Sequence, residues 1–187
     1  MVATRQSHQQ DETGDFASRL KLLALSAEKV ELLNKAQALC LACDNTTRQS
    51  TAIEMVEILA ELNLDADSLA TAYLTPYFIN NLVTLETVEE QLGSSIAVLL
   101  NGVAQMATIS TLAHQGKGTV QVDNIRRMLL AMVEDVRAVV IKLAEQVCHL
   151  RNVKNAAEED RVIAAKETAD IFAPLANRLG IGQLKWE

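Results

Sequence analysis

The strongest constraint in this sequence is a spacing. Apolar side chains return every three or four residues over long stretches: Val30, Leu33, Ala36, Leu39 and Cys40; Ile53, Val56, Ile58, Leu59 and Leu62; Ile96, Leu99, Leu100, Val103 and Met106. A helix turns once in 3.6 residues, so this spacing lays one apolar stripe along one helical face, whereas a half-buried strand needs alternation. Val139-Val140-Ile141 alone would pass for a strand, but it sits inside a longer helical pattern from Ile125 to Leu150. Seven Gly and two Pro in 187 residues leave little of the punctuation a many-stranded sheet requires. Aromatics make up 3% of the chain against 49% hydrophobic residues, so the core is built from Leu, Ile, Val and Ala. The fold class is all-α.

Local signals divide the chain into nine or ten helices and no strand. A short helix is expected over Phe16–Leu25, and Ser26 caps the next, with Glu28 in its first turn. Asp65 or Asp67 caps the helix carrying Leu69, Ala72, Tyr73 and Leu74. Pro76 is expected to stop it, because proline biases the preceding Thr75 out of the α region. Thr84 caps a short helix that ends at Gly93, and Ser94 or Ser95 opens a longer one. HQGKGT (114–119) reads as a loop, followed by amphipathic helices over roughly 121–134 and 136–151. A polar turn near Asn152–Ala157 precedes a last helix from Glu158, interrupted by Pro174 and stopped at Gly180. Residues 1–15 read as a disordered tail and 16–187 as one helical domain.

Several function classes fall away on composition. No apolar run is long enough to span a membrane, and the polar start lacks a signal peptide's apolar core. Three Cys, an odd number, speak against a disulfide framework and for a cytoplasmic protein. The formal charge of -7 disfavours wholesale nucleic-acid binding. Residues 117–154 run the other way, with seven Lys and Arg against four Asp and Glu. Arg151 and Lys154 at the end of that segment are candidate nucleotide-binding residues, although solvated helix faces carry such charge equally well.

Candidate chemistry is sparse. Cys40 and Cys43 form a C-x-x-C without a second pair or a βαβ context, and at helical spacing they read as small core fillers. Glu145 and His149 lie one turn apart on one face, next to Cys148, a spacing that can hold a metal but supplies two ligands where four are usual. His114 falls in the loop and His8 in the tail. No phosphate-binding loop, nucleophile elbow or H-E-x-x-H is present.

Three stretches are specific when taken together: IEMVEILAELNLD (53–65), NIRRMLLAMVEDVRAVVIKLAEQVCHLR (124–151) and ETADIFAPLANRLGIGQLKWE (167–187). In order and spacing they resemble the N-terminal hydrolase-type domain of long RelA/SpoT proteins, a compact multi-helix HD-type domain. In hydrolase-active members the resemblance implies a metal site made from a His before the ILAEL helix, a His-Asp dyad at the end of the next helix, and the Asp of LADR. A Glu-Asp pair after the dyad assists water attack on a 3′-pyrophosphate. A divalent ion held this way lowers the pKa of its water and clamps the leaving oxygen.

Each of those positions differs here. The first His falls on Thr51, the dyad on Thr75 and Pro76, the Glu-Asp pair on Ile79 and Asn80, and the LADR Asp on Glu145. Tyr77, Phe78 and Ile79 are expected to fill the former pocket in part with apolar bulk. The pattern resembles the synthetase-only RelA branch. It implies no catalytic residue, no metal and no cofactor in this segment. It also implies a parent GTP pyrophosphokinase whose synthetase domain lies C-terminal and which acts at ribosomes stalled by uncharged tRNA. The abrupt end at GQLKWE, with Trp186 wanting a partner surface, predicts a fragment cut before that synthetase domain. Two alternatives stand beside this reading: a working phosphohydrolase using Glu145 and His149, with or without a cysteine, and a non-catalytic nucleotide sensor using Arg151, Lys154 and neighbouring residues.

Overall fold

The computed structural model describes residues 16–41, 46–114 and 135–181, and the described residues contain helices and turns without a strand. We number the helices α1 (Phe16–Leu22), α2 (Ala27–Cys40), α3 (Thr46–Glu61), α4 (Ala66–Ile79), α5 (Leu85–Leu92), α6 (Ser94–His114), α7 (Val136–Val153), α8 (Glu158–Glu167) and α9 (Ala173–Arg178). A π-helical turn, Thr168–Phe172, joins α8 to α9. The expected 121–134 helix, the HQGKGT glycines, Cys43, His8, the tail and Trp186 lie outside the described residues.

α4 is the hub. It packs against α2, α3, α6 and α7, and every residue from Ser68 to Thr75 is buried. A helix enclosed on all sides cannot keep a polar face. Its polar members are therefore small, and two of them turn inward on the backbone: Thr71 Oγ1 donates to the Asp67 carbonyl at 2.7 Å and Thr75 Oγ1 to that of Thr71 at 2.8 Å. Phe16, Tyr73 and Tyr77 form the aromatic part of the core, with ring centroids 5.1 Å apart for the first pair and 5.8 Å for the second. Arg19 fastens α1 to α3 through a two-pronged bond to Glu57 at 2.8 and 2.7 Å.

The helix starts follow the sequence. Ser26, Asp65 and Thr84 each accept a backbone N–H from the first turn that follows. Asp65 is the α4 cap, and Asp67 instead accepts the Ser95 hydroxyl at 2.6 Å. Gly93 and Gly180 end their helices with φ of 101° and 72°, and α6 opens at Ser94.

Two ends differ from expectation. α1 stops at Leu22, three residues early, with Ala24 at φ 47°. Pro76 does not stop α4, which runs on to Ile79. The stop is Asn81 at φ 56°, where Leu82 N–H reaches back to the Tyr77 carbonyl at 3.0 Å. Asn63 ends α3 in the same way, with φ 58° and Leu64 N–H on the Leu59 carbonyl at 3.1 Å. Asparagine tolerates the left-handed region almost as glycine does. Proline inside a helix costs about 3 kcal/mol. The last turn of α4 is retained because Tyr77 lies within it at 1% exposure; burying a large apolar side chain contributes about 2–3 kcal/mol. The second proline behaves differently. Before Pro174 the chain widens into the π turn, in which Ala173 N–H bonds the Thr168 carbonyl five residues back. The extra residue takes up the ring's clash with the carbonyl of the preceding turn.

Candidate functional site

The six positions marked by the family resemblance lie on α3, α4 and α7 or at the end of α4, and these three helices pack against one another. The topology therefore gathers what the sequence keeps far apart. What it gathers is bonded internally. Thr51, half-buried on α3, donates its hydroxyl to the Thr47 carbonyl at 3.1 Å. Thr75 is fully buried and spends its hydroxyl on Thr71. Pro76 carries no donor or acceptor on its side chain, and its carbonyl accepts Asn80 Nδ2 at 2.7 Å. Asn80 itself is the exposed C-cap of α4.

The three apolar residues after Pro76 differ in burial. Tyr77 is buried against Tyr73, and the Arg48 guanidinium, three residues before Thr51 on α3, lies 6.0 Å from the Tyr77 ring centroid. Phe78 is half-buried. Ile79, by contrast, is 43% exposed: it sits in the final turn of α4, beyond the helices that enclose the middle of α4. Of the three, Tyr77 supplies the interior bulk.

Glu145 is the strongest ligand left, and it is already engaged. Lys142, one turn earlier on α7, donates to both carboxylate oxygens at 2.9 and 3.0 Å. The Lys142 side chain is 9% exposed and that of Glu145 24%, so the pair is largely shielded from water. The carboxylate at the position that the family resemblance aligns with a metal ligand is thus paired with an ammonium. Neighbouring Gln146 donates to Thr168 Oγ1 at 3.0 Å and ties α7 to the π turn.

The remaining candidates separate. His149 is exposed one turn beyond Glu145. Cys148 is fully buried, and burial first, then the nearby Glu54 carboxylate, pushes its thiol well above the ordinary range. Cys40 is buried at the end of α2 as a core filler. Arg151 Nη1 meets Glu54 Oε1 at 2.5 Å and braces α7 against α3. Lys154 stays at the exposed end of α7. Among the described residues, no group of three or more His, Cys, Asp and Glu is arranged to hold a metal ion.

Sequence reasoning missed the Lys142–Glu145 and Arg48–Tyr77 pairs. The first had a signal, opposite charges at i and i+3 on a helix. The second joins two helices and had none. A third omission is the cluster at the start of α7, where Arg137 bonds Asp135 beside it and Asp65 at the start of α4. Asp65 therefore caps one helix and anchors another.

The all-helical fold and this arrangement of α3, α4 and α7 define an HD-type domain, and a family model described as HD domain matches residues 29–182. The chain belongs to that family. It is 46% identical over 198 residues to the GTP pyrophosphokinase of Escherichia coli strain K12, covering 100% of this chain and 26% of that protein. It is 54% identical over 144 residues to the GTP pyrophosphokinase of Haemophilus influenzae, covering 76% of this chain and 19% of the relative. A Vibrio cholerae protein named guanosine-3′,5′-bis(diphosphate) 3′-pyrophosphohydrolase is 36% identical over 135 residues, covering 72% and 19%. The chain therefore spans about a quarter or less of the length of these curated relatives.

Proposed function

We propose that this chain is the non-hydrolytic, regulatory HD domain of a RelA-type (p)ppGpp synthetase. The observation that carries the reading is the engagement of Thr75 and Glu145: one hydroxyl is committed to its own helix and the one strong carboxylate to Lys142. Metal-assisted hydrolysis needs several ligands in fixed geometry around a divalent ion. A buried threonine, a proline, an isoleucine and a glutamate paired with Lys142 do not fit such an ion. The relatives named GTP pyrophosphokinase support the transferase side of the reading. In it, a synthetase domain C-terminal to this one moves pyrophosphate from ATP to the 3′-OH of GTP or GDP in the cytoplasm. The signal is uncharged tRNA on a stalled ribosome, as part of the stringent response. The helical body holds the synthetase in its on or off arrangement.

The hydrolase relative favours a second reading, a working phosphohydrolase with substituted ligands. That reading uses Glu145 and His149, with or without a cysteine. It must break the Lys142 pair, and where Cys148 takes part it must also deprotonate a buried thiol. One experiment separates the two. Purified protein is incubated with Mn²⁺ and guanosine 3′,5′-bis(diphosphate), and pyrophosphate release and bound metal are followed together. The expected result is turnover no greater than that of a Thr51→Ala/Glu145→Ala control, with no stoichiometric metal. Turnover clearly above that control favours the hydrolase and ends the regulatory reading.

A further inference from the structure

The end of α7 and the start of α8 form a feature that the site on α3, α4 and α7 does not use. Val147, Leu150, Arg151, Val153 and Lys154 of α7, with Arg161 of α8, line a depression of about 350 Å³. Its floor is aliphatic: Val147 is buried and Leu150 and Val153 are half-buried. Its rim is cationic, and Arg151, Lys154 and Arg161 are all solvent-exposed. Three cations converge here on a chain whose formal charge is -7. Glu54 fixes the Arg151 guanidinium from the α3 side, which orders one member of the rim. Lys154 and Arg161 are engaged by no carboxylate among the described residues.

We propose that this depression binds a nucleoside di- or triphosphate without a metal ion, its phosphates on the three cations and its base or ribose on the aliphatic floor. The ligand class follows from the pairing of two chemistries. Guanidinium groups recognise phosphate oxygens through paired N–H donors, and an ammonium adds a mobile point charge. Bare phosphate or pyrophosphate has nothing to lay on Val147, Leu150 and Val153, whereas a nucleotide covers them. The volume falls at the small end of the usual range for ligand pockets, about 300–1,000 Å³. Glu158, Glu159 and Asp160 in the first turn of α8 are not among the residues that line the depression. No base-reading side chain lines the floor, so guanine and adenine nucleotides are accepted alike.

The site stands apart from the Glu145 position. At about 100° per residue, Val147 and Lys154 lie roughly 180–200° around α7 from Glu145. Binding here therefore neither needs nor implies hydrolysis, and its failure leaves the regulatory reading untouched. The test is calorimetric titration of the 187-residue chain with GTP, ATP and inorganic pyrophosphate in the presence of a chelator. Both nucleotides should bind saturably, with pyrophosphate about tenfold weaker or worse, a difference of one decade in Kd. Lys154→Gln/Arg161→Gln replaces two exposed side chains and should weaken GTP about tenfold or more at unchanged circular dichroism. No saturable binding of GTP overturns the proposal. So does pyrophosphate binding as tightly as GTP, rejection of ATP by a chain that binds GTP, or a double variant with unaltered affinity.

Discussion

Replacing Glu145 by glutamine separates a structural ion pair from a metal ligand. In a metal site the change abolishes ion binding. Here its main effect falls on Lys142, whose side chain is 9% exposed and whose ammonium meets the carboxylate at 2.9 Å. At that distance the attraction between unit charges is about 1.4 kcal/mol at the dielectric of water and about 6 kcal/mol at an effective value of 20. Leaving a fully buried charge unpaired costs about 3–5 kcal/mol, and losing an exposed pair about 0.2–1 kcal/mol. Glu145 is 24% exposed, so water reaches one side of the pair and the lower half of that span applies. We expect Glu145→Gln to lose about 2 kcal/mol, seen in urea unfolding as a lower midpoint at constant slope and on heating as a fall of roughly 4–8 °C in Tm. Lys142→Met should lose less, about 1 kcal/mol, because the carboxylate can turn toward solvent. The double variant Lys142→Met/Glu145→Gln should be more stable than the two losses added together, by about 1 kcal/mol, which is the coupling of the pair. Stability for Glu145→Gln within about 0.3 kcal/mol of the parent, or strict additivity in the cycle, refutes the argument.

Three further outcomes are expected. Pro76→Ala should stabilise the domain by about 1–2 kcal/mol in urea unfolding, since it restores one backbone hydrogen bond and gives back only part of the gain to unfolded-chain entropy; a loss of stability would contradict the helix through Ile79. The Asp135 carboxyl is held low by its bonds to Arg137; at Asp65 burial acts upward, but the Ser68 and Arg137 bonds outweigh it. Both therefore contribute stability present above the ordinary carboxylate value of 3.8 and lost as pH falls through the lowered folded values. Asp65→Asn should flatten the acid limb of the stability profile, and an unchanged limb would count against the anchor. Cys148 should resist alkylation at pH 8 until the domain unfolds globally, because its thiol is buried and its ionisation suppressed; mass spectrometry showing rapid native labelling at Cys148 would refute this.

The helical class, the capped starts at Ser26 and Thr84, and the stop at Gly93 were legible because each is a local matter. A 3.6-residue period, a side-chain oxygen near an unpaired N–H and a glycine at positive φ act within one or two turns, and the sequence states them directly. The family resemblance added which positions to examine, something periodicity alone could not supply. Tertiary structure decided the rest. Pro76 inside α4 shows why: local preference disfavoured it by about 3 kcal/mol, and the burial of Tyr77, whose ring lies beside Arg48 of α3, offset that cost. The meaning of Arg151 changed for the same reason, from a charge on a basic segment to a brace on Glu54, 97 positions away. Arg161 carried no distinguishing signal until the turn after α7 brought it over Val147 and Leu150. Backbone preferences are read over a few neighbouring residues. Which charges meet, and which hollows their helices leave open, depends on how distant segments pack, and that is fixed only when the chain has closed on itself.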